Sequence, residues 1–170
     1  IMVIWIIGLS GSGKTTLANE VINGAKLHSN NTVMIDGDVI RKVFGNDVGY
    51  SLSDRLINAK RICELCRFLD YQGINVVCSI LSLFPEIQNW NRVNIKNYYE
   101  VFIDSPIESL IERDSKGIYG KYIRGEINQV IGMDIKFPAP KKANLVIKNN
   151  RSEKDLLKFS TQLISMLIRS

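Results

Sequence analysis

The sequence is poor in the features that mark membrane, secreted and metal-binding proteins. Its 170 residues include one histidine, three cysteines and four prolines. No run approaches the roughly 18 consecutive apolar residues of a membrane-spanning helix. The first residues lack a basic region followed by an apolar stretch and a cleavage site, so no signal peptide is predicted. We therefore expect a cytoplasmic protein that makes no membrane contact.

The cysteines fit neither a disulfide framework nor a zinc site. Cys63 and Cys66 form a C-x-x-C pair, but zinc needs more ligands, and the single histidine, His28, is far away in sequence. An odd cysteine count without a secretory signal indicates reduced thiols. The pair falls within a helical pattern with Ile62 and Leu65, so we expect buried helix cysteines; a redox role is the alternative.

Positive charge exceeds negative charge, with a formal net charge of +5. A basic surface can attract nucleic acid, a membrane surface or acidic small molecules. Many of the charges gather late in the chain, at Lys116, Lys121, Arg124, Lys136, Lys141 and Lys142. They lack the aromatic interleaving that stacks single-stranded nucleic acid. We therefore predict a phosphorylated small molecule as the partner, and no nucleic acid.

Short apolar runs alternate with longer amphipathic segments. The runs are typical of strands buried on both faces: Val3–Ile7, Val33–Ile35, Val76–Ile80, Val101–Ile103 and Leu145–Ile147. Helices are predicted from the glycine-rich loop to about Ala25, over Ser53–Tyr71 before Gly73, over Pro85–Asn97, from Pro106 to about Asp114, and after Ser152. This alternation predicts an α/β fold with a mainly parallel sheet, in a single domain over residues 1–170.

One long connection interrupts the alternation, from about Lys116 to Lys142. It contains four glycines and two prolines among its basic residues: Gly117, Gly120, Gly125, Gly132, Pro138 and Pro140. Connections of this length without regular structure are usually functional. We interpret the segment as a mobile lid.

A phosphate-binding loop follows the first predicted strand. The sequence G-L-S-G-S-G-K-T matches G-x-x-x-x-G-K-[ST] and opens a helix, as its mechanism requires. Lys14 can reach the β- and γ-phosphates of ATP, and the Thr15 hydroxyl can ligate Mg²⁺. A glycine-rich turn without a ligand is the alternative, which the lysine, hydroxyl and flanking elements disfavour. The predicted ATP-binding residues here are Gly8, Ser10, Gly11, Ser12, Gly13, Lys14, Thr15 and Thr16.

Polar residues after the second strand suggest an acceptor site. Asp36 and Asp38 stand where the carboxyl ends of parallel strands form a ligand crevice, and Arg41 follows. Asp38 could take a proton from an attacking hydroxyl, and Arg41 could hold an acceptor phosphate. The alternative is a helix-capping aspartate with a surface arginine. Further on, Arg55 and Asn58 share one face of a predicted helix and could also contact the acceptor.

Taken together, these motifs resemble the adenylylsulfate kinase family, which phosphorylates the ribose 3′-hydroxyl of adenosine 5′-phosphosulfate. The matches follow family order from Trp5 to about Pro140: G-L-S-G-S-G-K-T-T at Gly8–Thr16, D-G-D-x-x-R at Asp36–Arg41, G-Y-S-x-x-D-R-x-x-N at Gly49–Asn58, R-D-x-K-G-x-Y at Arg113–Tyr119, G-E at Gly125–Glu126 and G-x-D at Gly132–Asp134. The first motif is widespread, whereas the combination is specific.

The resemblance implies a P-loop NTPase-type three-layer fold, ATP and Mg²⁺ as cofactors, and a homodimer. It implies catalytic roles for Asp38, as the base, and Lys14. Arg113 matches a residue near the ATP adenine, and Lys116 a lid lysine at the phosphates. Ser82 matches a serine sometimes described as a phosphoserine intermediate, although in-line transfer requires none. The predicted acceptor-binding residues are Asp36, Arg41, Tyr50, Arg55, Asn58, Ile80, Leu81, Lys116 and Val130.

The departures from the family concern the acceptor. The family clamps adenine between two phenylalanines, which match Tyr50 and Val130 here, and valine cannot stack. The stretch Ile80–Pro85 lacks a family arginine, and Lys60 replaces another. A changed base pocket beside intact transfer machinery suggests the same reaction on another nucleotide. We favour the branch of the family that phosphorylates cytidine diphosphoramidate for phosphoramidate-decorated capsule polysaccharide.

Other interpretations remain open. An adenylylsulfate kinase of sulfate assimilation would act on adenosine 5′-phosphosulfate. A regulator that only senses ATP belongs to a different class, and the presence of Asp38, Arg41 and Arg55 argues against it. A nucleic-acid kinase would need a stacking groove, for which the sequence gives no sign.

Overall fold

Five parallel strands form a single sheet in the computed structural model, which describes residues 1–149 and 152–169. The spatial order is β2-β3-β1-β4-β5, with β1 at Val3–Ile7, β2 at Thr32–Asp36, β3 at Asn75–Ile80, β4 at Tyr98–Asp104 and β5 at Leu145–Lys148. All five predicted strands are confirmed, and four of them are longer than expected. The central strand β1 is fully buried along its length, as its continuous apolar run indicated.

Eight helices connect and cover the described strands. They are α1 at Lys14–Lys26, α2 at Gly37–Val43, α3 at Leu52–Tyr71, α4 at Pro85–Asn94, α5 at Ile107–Arg113, α6 at Ile118–Ile123, α7 at Glu153–Leu157 and α8 at Ser160–Arg169. The Ser51 hydroxyl caps α3 by accepting from the Asp54 amide, so this helix begins one residue earlier than predicted. Pro106 is the N-cap of α5 rather than its first residue.

The structure differs from the predicted helices in three places. Helices α2 and α6 were not expected, and the last predicted helix is divided into α7 and α8. The break follows Leu157, whose carbonyl accepts from the Ser160 hydroxyl at 2.7 Å instead of continuing one helix. The Ser152 cap was correct, because its hydroxyl accepts from the Asp155 amide.

Two hydrophobic cores, one on each face of the sheet, give three layers. One face of β1, carrying Trp5, packs with residues of α2, α3 and α4. The opposite face, carrying Ile4 and Ile6, packs against α1, α7 and α8. The predicted three-layer α/β arrangement with a parallel sheet is therefore confirmed. Its functional consequence is that the carboxyl ends of the central strands are left uncovered by the helix layers.

The predicted lid segment is more ordered than its composition suggested. It contains α6, and a third hydrophobic cluster joins Leu110 of α5 to Tyr119 and Val130. The Tyr119 hydroxyl donates a 2.7 Å hydrogen bond to the Ser10 carbonyl of the phosphate loop. This contact ties the start of the segment to the loop, whereas the mobility of residues 116–142 stays a prediction.

The cysteines are buried and free, as expected for Cys63 and Cys66 in helix α3. Burial raises the pKa of the Cys63 thiol to about 11, so the thiol is protonated at neutral pH and a poor nucleophile. This favours the structural interpretation over a redox role. None of the helices in the described part of the chain is long and apolar enough to cross a membrane.

Candidate active site

A cleft of about 930 Å³ opens at the carboxyl ends of β1, β2 and β3. The sheet register places Asp36 beside Ser79 and Ile7 beside Ile80, so the residues that end each strand lie side by side. This edge is where ligands bind in open parallel sheets. A cleft of this size can hold a nucleotide together with transferring phosphates.

The phosphate loop connects β1 to α1 in a shape that requires glycine. Gly11 and Gly13 have φ values of +80° and +99°, which favour glycine. Two contacts hold the loop from outside: the Asn149 side chain donates to the Ser12 carbonyl at 2.9 Å, and Tyr119 donates to Ser10. The loop is thus preformed, with successive amides and the α1 N-terminus available for an anion.

Lys14 lies partly buried at the base of the cleft. Its ammonium donates to the Leu9 carbonyl at 2.8 Å. Burial, and then the nearby charge of Lys116, lower the pKa of Lys14 from 10.5 to about 8, while Asp38 and Asp36 act in the opposite direction. A partly desolvated cation in this position attracts a polyphosphate strongly, because water competes poorly for it.

An oxygen-rich corner is formed where the loop meets β2 and β3. The Thr15 hydroxyl lies 3.1 Å from an Asp36 carboxylate oxygen and 3.4 Å from the Ser79 hydroxyl. The other Asp36 oxygen caps α2 by accepting from the amides of Asp38 and Val39. Asp36 is therefore a helix-capping residue, as in the alternative interpretation, and its second carboxylate oxygen still contacts the phosphate loop by accepting from Thr15. Sequence reasoning missed Ser79, since a serine at the end of a strand forms no recognisable motif.

Asp38 stands on the first turn of α2 and pairs with the predicted lid. Lys116 donates to its carboxylate at 2.9 Å. Burial alone would raise the pKa of Asp38, but the hydrogen bond from Lys116 and the charges of Lys116, Lys14 and Arg41 outweigh it and lower the pKa. Asp38 is therefore ionised at neutral pH and able to accept a hydrogen bond from a hydroxyl group.

Two arginines surround Tyr50 at the outer wall of the cleft. The Arg41 guanidinium lies 4.7 Å from the Tyr50 ring centroid and that of Arg55 lies 5.3 Å from it. Arg41 is buried and donates to the Gly49 carbonyl at 2.7 Å. Arg55 donates to the carbonyls of Tyr50 and Gln129, at 2.8 Å each. These contacts fix both cations on the wall that an anionic acceptor would approach.

The remaining predicted acceptor residues complete the wall. Asn58 is buried and donates to the Gly37 carbonyl at 3.3 Å, while its Oδ1 has no hydrogen-bond partner among the described residues. Val130 is 5% exposed, so it offers little surface for a base. Every predicted acceptor residue lines this cleft: Asp36, Arg41, Tyr50, Arg55, Asn58, Ile80, Leu81, Lys116 and Val130. Lining residues that were not predicted include Lys42, Asn46, Leu83, Phe84 and Gln129.

A second, smaller pocket lies on the other side of the phosphate loop. Its volume is about 180 Å³. It brings together the predicted ATP-binding residues Gly11, Gly13, Thr16 and Arg113, with Asn149 among the unpredicted ones. Gly8 and Ser12 are buried in the loop itself. The larger cleft therefore holds the predicted acceptor residues together with Ser10, Lys14 and Thr15 of the loop, while the smaller pocket holds the ATP-binding residues named above. The two pockets share the loop as a wall.

Ser82 is held by a buried hydrogen-bond network. Its hydroxyl accepts from Trp5 Nε1 and from the Gln88 amide, both at 3.1 Å, and its backbone φ is +55°. It is 4% exposed, although it borders the cleft. A hydroxyl so engaged is better suited to fixing the end of β3 than to attacking a phosphate.

We expect Ser82→Ala to lower the free energy of unfolding by about 1–3 kcal/mol, because the buried Trp5 N–H loses its partner. Because in-line transfer does not use the hydroxyl, kcat should change by less than about tenfold. Chemical denaturation beside steady-state kinetics measures both effects. Complete loss of activity in a folded variant, with labelled phosphate on wild-type Ser82, would restore the phosphoserine role.

The parallel sheet, the phosphate loop with Lys14 and Thr15, and a carboxylate in the adjoining cleft together define a P-loop kinase. The family model described as Adenylylsulphate kinase matches residues 1–148. The chain therefore belongs to the adenylylsulphate kinase family.

Named relatives differ in their acceptors. The chain is 40% identical over 148 residues to a cytidine diphosphoramidate kinase of Campylobacter jejuni, covering 87% of this chain and 86% of that protein. It is 34% identical over 148 residues to a probable adenylyl-sulfate kinase of Pseudomonas aeruginosa, covering 87% and 69%. The Mycobacterium tuberculosis APS kinase, solved with AMPPNP and APS, superposes with a TM-score of 0.87 at 29% identity over 99% of this chain and 98% of that one.

Proposed function

We propose that this kinase transfers the γ-phosphate of ATP to the ribose 3′-hydroxyl of a small nucleotide, with cytidine diphosphoramidate as the favoured acceptor. We base the reaction on one placement above all: the ionised Asp38 lies in the same cleft as Lys14 of the phosphate loop. Lys116 donates a hydrogen bond to the Asp38 carboxylate at 2.9 Å. A base, a phosphate-binding cation and a second cation beside the base suit phosphoryl transfer to a hydroxyl.

In the proposed step, the 3′-hydroxyl oxygen attacks the γ-phosphorus of ATP. The new O–P bond forms as the bond to the bridging β,γ-oxygen breaks, ADP leaves, and the hydroxyl proton passes to the Asp38 carboxylate. Lys14 stabilises charge on the transferring group. Arg41 and Arg55, already held on the cleft wall by backbone carbonyls, orient the acceptor phosphates.

The residues around Thr15 fit Mg²⁺. The Thr15 hydroxyl lies 3.1 Å from an Asp36 carboxylate oxygen and 3.4 Å from the Ser79 hydroxyl. Mg²⁺ prefers such oxygen ligands together with water and substrate phosphates. Bound there, the ion would neutralise charge between the β- and γ-phosphates. Thr15 would be its protein ligand, with Asp36 orienting it.

The choice of acceptor rests on the base pocket. An adenine clamp needs two aromatic walls, but Val130 is buried against Leu110 and Tyr119. Phe137, which could have replaced the missing wall, packs instead on Phe102 at a centroid distance of 6.0 Å. Of the two positions that form the family's clamp, only Tyr50 carries an aromatic ring here, which favours a base that depends less on stacking at those positions. The 40% identity to a cytidine diphosphoramidate kinase supports the same choice.

Adenosine 5′-phosphosulfate is the second candidate acceptor. The family model and the 34% identical relative named as a probable adenylyl-sulfate kinase favour it. A protein that only senses ATP is disfavoured, because such a protein has no use for an acceptor cleft lined by Asp38, Arg41 and Arg55.

We expect a higher kcat/KM for cytidine diphosphoramidate than for adenosine 5′-phosphosulfate when both compete for the enzyme with ATP and Mg²⁺. Losing one stacking wall costs a base roughly 1–3 kcal/mol. The matched variant is Val130→Phe, which should shift the ratio of the two kcat/KM values towards the adenosine acceptor. A wild-type preference for adenosine 5′-phosphosulfate would refute the cytidine assignment, and identification of a product without a 3′-phosphate would refute the position of transfer.

A further inference from the structure

Asp134 organises a tight turn in the predicted lid. One oxygen of its carboxylate accepts from the Gln129 amide at 2.8 Å and the other accepts from the Val130 amide at 2.7 Å. The turn is closed further by backbone bonds between Gly132 and Ile135 and between Val130 and Met133. Asp134 is thus the side chain that satisfies the two amides at the start of the turn.

The turn holds Gln129 in a conformation that glutamine seldom adopts. Its φ is +60°, in the left-handed region, which carries a steric cost for a residue with a Cβ. The two hydrogen bonds from the consecutive amides to one carboxylate offset that cost. Without them the backbone is expected to relax towards negative φ, and the Gln129 carbonyl would turn with it.

The Gln129 carbonyl is the point at which the lid meets the acceptor wall. It accepts from Arg55 Nη2 at 2.8 Å, a contact between residues 74 positions apart. Arg55 Nε donates at the same time to the Tyr50 carbonyl. One arginine therefore joins α3, the segment carrying Tyr50 and the lid turn carrying Val130.

We propose that Asp134 is a positioning residue for the acceptor: by bonding the amides of Gln129 and Val130, it aims the Gln129 carbonyl at Arg55 and so fixes the orientation of Arg55 and the distance between the two walls of the base pocket. Asp134 itself does not line the cleft. The inference deepens the proposed function and rests on it, because it assigns the cleft to the acceptor. It does not depend on which base the acceptor carries.

The test uses Asp134→Ala, which removes both bonds, and Asp134→Asn, which retains one acceptor oxygen. The acceptor is whichever of cytidine diphosphoramidate and adenosine 5′-phosphosulfate the wild type uses better. Since a displacement of about 1 Å can cost about 10²-fold, we expect kcat/KM for the acceptor to fall by about 10- to 100-fold in Asp134→Ala and less in Asp134→Asn. The KM for ATP should change by less than about twofold, because the phosphate loop is untouched.

A second-site change distinguishes positioning from general damage. Glycine adopts positive φ without a Cβ penalty, so Gln129→Gly in the Asp134→Ala background should recover about fivefold of the lost acceptor kcat/KM. The charge-matched control is Glu64→Gln, on the exposed surface of α3, where Glu64 pairs with Arg67. This control should behave as the wild type in both assays.

Amide exchange provides a readout that needs no turnover. Peptides covering residues 126–135 should exchange about tenfold faster at the amides of Gln129 and Val130 in Asp134→Ala. Equal losses for ATP and acceptor, absence of rescue, or unchanged exchange would overturn the inference. If the wild type phosphorylates neither acceptor but exchange responds as expected, the proposed function fails while the structural role of Asp134 stands. If Asp134→Ala shows normal acceptor kinetics, the inference is rejected and the proposed function is unaffected.

Discussion

We expect replacement of Asp38 by asparagine to lower kcat by about 10²–10⁴-fold, the usual contribution of general-base assistance. Asparagine keeps the shape of the side chain and can still accept the hydrogen bond that Lys116 donates at 2.9 Å. It cannot take a proton from a hydroxyl at neutral pH. ATP affinity, measured by calorimetry beside steady-state kinetics, should change far less than kcat.

The control for this variant is Asp70→Asn, near the end of α3 and outside the cleft lining. A loss confined to ATP affinity would make Asp38 a binding residue and exclude the base role. The lowered pKa of Asp38 also predicts how the activity depends on pH. Because the carboxylate stays ionised to a lower pH than an ordinary aspartate, acid should reduce kcat/KM only below the usual aspartate range.

The second large effect is expected for Lys14→Ala, which should reduce kcat by about 10²–10³-fold. Preorganised contacts to developing charge are often worth about 2.7–4 kcal/mol. Lys26→Ala is the matched control, since Lys26 is exposed in the last turn of the same helix. Circular dichroism and thermal melting should show a folded Lys14→Ala protein. Near-normal turnover in that folded protein would exclude the assigned role.

The lowered pKa of Lys14 predicts two pH effects in the nucleotide-free enzyme. ATP binding should weaken as pH rises through about 8, because the ammonium loses its proton there rather than near 10.5. The unfolded chain binds the Lys14 proton more tightly than the folded protein does, so the free energy of unfolding rises with pH between about 8 and 10.5. At neutral pH, below this range, the charged lysine therefore destabilises the fold. Lys14→Met, which retains the apolar stem, should therefore melt higher than wild type at pH 7, with the difference shrinking as pH rises above 8.

The sheet could be predicted because its strands are short apolar runs with no competing interpretation. Helices α2 and α6 could not. Helix α2 has seven residues and begins at Gly37, and the Asp36 side chain provides its cap. Helix α6 has six residues and includes Gly120, and the Asp114 carboxylate stabilises it by accepting from the amides of Tyr119 and Gly120 at 3.0 and 2.8 Å. Side-chain caps of this kind leave no periodic pattern of apolar residues, so hydrophobic periodicity does not predict them.

In the candidate site, too, some residues could be predicted from the sequence and others could not. Motifs with fixed spacing predicted the residues that line the two pockets, whereas the residues that hold those motifs in place were missed. Asn149, at the end of β5, supports the phosphate loop through one side-chain bond to a backbone carbonyl. The pairing of Lys116 with Asp38 joins positions 78 residues apart. A single sequence carries no pattern for contacts of either type, because they arise only when the chain is folded.

The phosphate loop as a shared wall between two pockets has a consequence for inhibition. The larger pocket adjoins Lys14 and Thr15, and the smaller one adjoins Gly11, Gly13 and Thr16 on the same loop. A compound with a nucleoside at each end of one polyphosphate chain would occupy both pockets and lose translational freedom only once. Such a two-headed compound should compete with ATP and with the acceptor together, and its second nucleoside should discriminate between enzymes that share this loop but differ at Tyr50 and Val130.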